Sequence, residues 1–180
     1  MGTNLVVPGK RNWEMEMLGE WLAARHPGAR VMTHVRLGPD AGGSLHPGLS
    51  PEERRLLGAS FRRWADAVVV DGGQLLVVET AMVPSPGDIS LVDTYLLLVD
   101  VTPELQELRP LPRRGVLVWA VDDPYSRQVA IKHGLSVEIF KPSNFLEWLS
   151  TKRAREQRSP RTGLAVSQEI PETLEPAAPL

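Results

Sequence analysis

Two apolar runs joined by a short turn fix the centre of this chain: Ala67-Val68-Val69-Val70, then Asp71-Gly72-Gly73, then Leu75-Leu76-Val77-Val78. β-Branched and aliphatic residues on both sides of an Asp-Gly-Gly turn specify a β-hairpin, because a tight turn matched to strand twist needs positive φ angles that glycine takes at no steric cost. Asp66 opens the first run and Glu79 closes the second, so the hairpin returns Glu79 toward Asp66. Two carboxylates at one end of adjacent strands could hold Mg²⁺ or Mn²⁺, or could equally decorate an edge.

The flanking segments read as alternating helices and strands. Asn12 is suited to cap a helix through about Arg25, with Glu14 and Glu16 in the first turns and an apolar stripe of Trp13, Met17, Leu18, Trp21 and Leu22. Glu16 and Glu20, four apart, share a face. Arg30 to Arg36 reads as a strand, followed by a run rich in Gly, Pro and Ser. Ser50-Pro51-Glu52-Glu53 carries the cap, proline and glutamate of a helix start, predicting a helix to about Arg63 with Arg54, Arg55, Arg62 and Arg63 exposed. Those arginines suit DNA phosphates, an acidic protein surface or plain solvation.

Beyond the hairpin, Asp88 is read as the cap of a helix carrying Ile89, Val92, Leu96 and Val99, with Tyr95 as a core residue. Val101 to Arg114 forms a turn and connection, and Gly115 to Val121 is apolar enough for a central strand. Asp122 and Asp123 sit where a helix from Pro124 to His133 needs a cap, although the same place beyond a strand end could take a metal. Leu135 to Phe140 is a further strand, and Asn144 to about Arg153 a last helix. The pattern predicts an α/β domain, a central mixed β-sheet flanked by helices.

An aspartate at the start of a strand, a hairpin, and a glutamate closing the next strand resemble the core of the PD-(D/E)XK nuclease superfamily. In that family Asp…Glu-x-Lys supplies two metal ligands and a lysine. Asp66 and Glu79 fall on the acidic positions, and the lysine position falls on Ala81. The family's helix Gln falls on Leu91, while Tyr95 matches its Tyr. The resemblance implies a restriction-endonuclease-like αβββαβ core plus an additional helix and strand, and a metal site at Asp66 and Glu79 with Glu16 or Glu20 as a third ligand. The departure at Ala81 implies lost catalysis, since nothing local then positions water or offsets charge developing at phosphorus. An active enzyme would need a substitute cation such as Arg63 or Lys132.

The 180 residues divide into an arm at 1–11, a nuclease-like domain at 12–153 and a tail at 154–180. Net charge is −2, which advertises no large basic field, so a DNA contact would be local or delegated to partners. There is no cysteine, and His26, His34, His46 and His133 lack ligand spacing, which argues against disulfides and zinc. No run is long enough to span a bilayer, and the first residues lack the hydrophobic length of a signal peptide, so the expected location is the cytoplasm or a virion. The tail is basic from Lys152 to Arg161, then rich in Pro, Glu and Ala with no usable hydrophobic periodicity. Such a segment is disordered alone and expected to lie on other protein subunits. These features lead to the expectation of a non-catalytic, nuclease-fold assembly protein with no cofactor, such as a phage head-tail connector or neck component. A Mg²⁺- or Mn²⁺-dependent DNA endonuclease and a plain interaction module are the alternatives.

Overall fold

The structure, a computed structural model, describes residues 12–39, 48–53 and 62–158. The arm at 1–11, Arg54, Arg55 and the tail beyond Arg158 lie outside the described residues. The chain order is α1 (Trp13–Arg25), β1 (Arg30–Leu37), β2 (Arg63–Asp71), β3 (Gln74–Ala81), α2 (Pro86–Leu98), 3₁₀ turns at Val99–Val101 and Pro103–Leu108, β4 (Arg113–Trp119), α3 (Pro124–Lys132), β5 (Ser136–Ile139) and α4 (Phe145–Arg158). The five described strands stand in the sheet in the order β1-β2-β3-β4-β5. β1, β2 and β3 run antiparallel, while β3, β4 and β5 run parallel. This is the mixed, helix-flanked αβββαβ arrangement expected from the sequence.

At the hairpin turn Gly72 and Gly73 both have positive φ, 54° and 77°, the backbone of a two-residue turn whose twist matches the strands it joins. Alternation along the strands then sorts the side chains. Ala67, Val69, Leu76, Val78, Val116 and Val118 pack under α1, against Met17, Leu18 and Trp21. Val68, Leu75, Val77, Leu117 and Trp119 pack on the other face against Ile89, Val92 and Tyr95 of α2. α1 begins as expected, with Asn12 Oδ1 accepting the Met15 N–H at 3.3 Å.

The alternation breaks once, at the same level in two strands. Ala67 lies on the α1 face, yet Ala65 joins the α2 face together with Val35 and Leu37. A regular strand keeps residues two apart on one side. Opposite Asp66 stands His34, whose φ of 52° makes it, among the described residues, the non-glycine residue with a left-handed backbone. The β1–β2 register is the same on either side of this point, so both strands change face together. The outer hairpin end is thereby turned over: Ala65 goes in, and Trp64 comes out, 55% exposed. A left-handed, non-glycine residue costs about 1–3 kcal/mol. His34→Gly should therefore fold with stability within about 1 kcal/mol of the parent, glycine's unfolded-state entropy offsetting the relief. His34→Val should lose about 1–3 kcal/mol more, since a β-branched residue tolerates this φ least. Urea denaturation of the two variants checks the pair; equal stabilities would remove the strain.

Three local expectations need correction. Helical backbone is described for residues 51–53, where Ser50 and Glu53 exchange the expected capping bonds at 2.8 and 3.2 Å, but Arg63 opens β2 instead of closing that helix. β2 also begins before Asp66, because Trp64 and Arg63 continue the pairing with Arg36 and Leu37. The cap of α2 is Ser85, and Asp88 sits at the third helical position, returning a bond to the Ser85 N–H at 2.9 Å. Pro86 and Gly87 open the helix, because proline's missing N–H is not needed in a first turn.

Candidate functional site

The β2–β3 ladder runs from Asp71 opposite Gln74 to Ala67 opposite Val78 and stops there. β3 goes on alone with β4, setting Glu79 beside Leu117 and Ala81 beside Trp119. The parted strands leave the Thr80 N–H without a ladder carbonyl. Asp66 supplies the acceptor: its Oδ2 takes the Thr80 N–H at 2.8 Å and the Thr80 hydroxyl at 2.5 Å. A carboxylate in place of a carbonyl satisfies a buried donor that would otherwise cost about 1–3 kcal/mol.

Glu79 lies next to it. The Asp66 backbone N–H donates to the Glu79 carboxylate, while Glu79 Oε2 is buried with no protein partner. Burial, then the charges of Asp66, Asp88 and, least, Glu14, push the Glu79 carboxyl up to about 8; the Asp66 N–H pulls the other way. Glu79 therefore holds its proton at neutral pH. Burial and Asp66 likewise raise Asp88. Tyr95 behind them is raised by burial first and then by Glu79 and Asp66, and its hydroxyl donates to the Trp64 carbonyl at 2.6 Å.

The hairpin thus brings Asp66 and Glu79 together as the spacing implied, and adds two residues that sequence reading passed over. Asp88 is near because only Met82 to Ser85 separate β3 from α2, which starts α2 at the end of the sheet where Glu79 emerges. Glu14 precedes Leu18 by four residues and Trp21 by seven, so it lies at the exposed end of the line of that buried face; that spacing was the available signal. Glu16 and Glu20 turn elsewhere. Glu16 accepts from the Asn144 amide, and Glu20 accepts the Ser143 N–H at 2.8 Å and its hydroxyl at 2.6 Å. Asp122 and Asp123 are helix-start residues: Asp123 takes the Tyr125 N–H at 3.1 Å and the Ser126 hydroxyl at 2.6 Å, and Asp122 pairs with Arg127.

Position 81 holds a methyl group, 7% exposed and packed with Trp119. Leu91 packs against that same core. Of the two candidate substitutes, Arg63 is close enough for its charge to act on Tyr95. Lys132 ends α3, whose other end caps on Asp123 just past β4, so the helix carries it away from the carboxylates. A groove of about 590 Å³ opens alongside, lined by Asn12, Trp13, Glu14, Met82, Trp148 and Lys152.

Among the described residues no group of three or more His, Cys, Asp or Glu stands in a metal-holding arrangement. Asp66 Oδ2 and Asp88 Oδ2 accept backbone N–H groups, while Glu79 Oε2 is buried without a protein partner.

No family model matches the sequence, and no curated protein matches it. Among solved structures the chain is similar to a repair endonuclease from Pyrococcus abyssi at 17% identity, covering 74% of this chain and 49% of that one with a TM-score of 0.46. It is also similar to a protein of unknown function at 11% identity, covering 76% and 65% with a TM-score of 0.44. A third similarity is to EndoMS in a complex with double-stranded DNA, at 13% identity, covering 75% and 48% with a TM-score of 0.42. The chain spans between 48% and 65% of the length of these structures. In its element order and sheet topology the protein has a restriction-endonuclease-like fold, with no metal-holding cluster assembled among its described residues.

Proposed function

We propose that this protein is a nuclease-fold subunit that does not cleave DNA and acts by protein-protein contact within a larger assembly, such as the head-tail connector or neck of a phage particle. The observation that carries this reading is the environment of position 81. Phosphodiester cleavage needs positive charge or donors aimed at the developing negative charge. Here the strand presents the buried methyl of Ala81, and the adjacent carboxylate of Asp66 is spent on closing the backbone at Thr80. Glu79 meets its electrostatic surroundings by keeping a proton.

Plasmid DNA incubated with the protein and Mn²⁺ or Mg²⁺ should remain supercoiled. Deleting Thr162 to Leu180 should leave the domain folded and abolish self-association or incorporation into the assembly. Metal-dependent nicking that disappears in Asp66→Ala would overturn the reading, and so would unaffected incorporation.

One observation favours the endonuclease alternative: Glu79 Oε2 is a buried acceptor without a partner, flanked by the Asp66 and Asp88 charges. On that reading a dication would displace the Glu79 proton, and calorimetry would find Mn²⁺ binding that Glu79→Ala loses. A plain interaction module with an incidental carboxylate pair fits the absence of both nicking and incorporation.

A further inference from the structure

The two edges of the sheet are unlike. β1 is interrupted by the left-handed backbone at His34, a break that spoils an edge for further pairing. β5 has neither a proline nor a positive φ within Ser136–Ile139, and among the described residues no strand pairs with its outer side. The Phe140 N–H donates to the Trp119 carbonyl at 2.9 Å. Alternation therefore turns Ser136 and Glu138 toward β4 and leaves the N–H and C=O groups of Val137 and Ile139 on the open side. The side chains alternate between the faces as well. Val137 packs with the α2 face, and Ile139 beyond it is 38% exposed. Ser136 and Glu138 lie on the α1 face, where the Ser136 hydroxyl accepts from Arg114 Nε and Glu138 Oε2 accepts the Trp21 indole N–H at 2.8 Å.

We propose that the β5 edge binds the β5 edge of a second copy of the chain, antiparallel, with Val137 opposite the second copy's Val137. A two-fold axis normal to the sheet keeps the α1 faces of both copies on one side, so each residue stands opposite one of the same face. Centring on Val137 sets two outward-turned residues against each other, where they exchange a pair of N–H···O bonds, and it places Ser136 opposite Glu138. Each Glu138 carboxylate then meets the Ser136 hydroxyl of the other copy and the Arg114 guanidinium beside it, twice by symmetry. On the opposite face the two Val137 side chains meet and each Ile139 stands across from Leu135. Centring on Glu138 would instead set two carboxylates opposite each other, like charges across a strand pair. The order Arg114-Ser136-Glu138 across the edge is thus its own complement, which selects a second copy as the occupant and fixes the register. The contact is made by the domain and goes beyond the assembly reading, in which the tail carries incorporation.

Sedimentation velocity of the full chain across a concentration series should find a dimer. Arg114→Glu and Glu138→Arg should each associate at least about tenfold more weakly than the parent, because each sets like charges together at both contacts. Circular dichroism confirms the fold of each. An equimolar mixture of the two should restore a one-to-one dimer, in which both contacts again join opposite charges. The chain has no cysteine, so single introduced thiols report the register. Val137→Cys should give a disulfide-linked dimer on mild oxidation, since the Cα atoms of a bonded antiparallel pair stand about 5.5 Å apart, within disulfide reach. Ile139→Cys should not, because its counterpart lies about 13 Å away in this register. A parent that stays monomeric, charge variants that associate like the parent, or a mixture that fails to restore the dimer would overturn the proposal. Cross-linking through Ile139→Cys in place of Val137→Cys would overturn the register. The incorporation experiment on the tail decides the assembly reading separately, because the β5 contact does not involve the tail.

Discussion

Glu79→Gln should stabilise the protein near pH 9 and leave its stability near pH 4 almost unchanged. The carboxyl titrates at about 8 in the folded protein against an ordinary value of 4.5. Below the ordinary value both folded and unfolded chains hold the proton, and the pair of states is balanced. Between the two values the unfolded chain has released its proton while the folded chain keeps it, so folding takes up a proton and stability falls as pH rises. The loss accrues at about 1.4 kcal/mol per pH unit and levels off above the folded value, reaching on the order of 4 kcal/mol. An uncharged amide of the same shape removes the cause while keeping an acceptor for the Asp66 N–H. Asp88, also raised, leaves a shallower slope of the same sign in the variant. On the acid side the slope reverses, because Glu104, held below its ordinary range by its own backbone N–H and then by Arg62, and Asp100, held down by Arg113, lose that advantage when protonated. Urea denaturation at several pH values checks both limbs. Parallel profiles for parent and variant would show that Glu79 ionises freely in the fold.

Gly115→Val should cost about 3 kcal/mol or more, the largest effect expected from adding atoms to the core. A Cβ at this position would lie 2.6 Å from Leu135 Cδ2 and 2.6 Å from Val92 Cγ1, with Leu96 Cδ1 at 3.3 Å. The leucine tips could rotate aside, but Val92 has no such freedom on a helix. β4 would have to move away from α2, and with it the neighbour that sets the height of Glu79 and Ala81 on β3. Gly115→Ala meets the same atoms with less bulk and should lose about 1–3 kcal/mol. The thermal midpoints of the two variants give the comparison; a valine variant as stable as the parent would mean that α2 is not seated on Gly115.

The architecture was readable because it rests on local signals. Asp71-Gly72-Gly73 between aliphatic runs encodes a turn type, and the Asn12, Ser50 and Asp123 helix starts are side chains answering backbone N–H groups within their own turn. The pairing of Asp66 with Glu79 was readable for the same reason, since a two-residue turn sets the register. What sequence could not supply was the reversal at His34. A change of face costs nothing in composition, and it involves a partner strand some thirty residues away in the chain. Regular alternation would have put Trp64 on the buried face with Val68. Asp88 was taken for a cap because its bond to Ser85 is local, whereas its nearness to Asp66 depends on where β3 ends in space. Glu14 was legible in principle from its place on the α1 stripe, but acidic residues in a first turn have an adequate explanation without any site.

The strands stand in the sheet in the order in which they occur in the chain. Each described strand after β1 that emerges from a ribosome therefore finds a neighbour it pairs with already synthesised. No gap between finished strands has to be kept open for a later insertion. The central hairpin, closed by its two glycines, can form on a microsecond scale, and β1 needs only to lie against it. β4 and β5 then add outward in turn, so growth from one edge to the other parallels synthesis from one terminus to the other. A chain arrested after β3 would hold a paired three-stranded meander with the β3 edge still bare, and the arrival of β4 is the step that covers it.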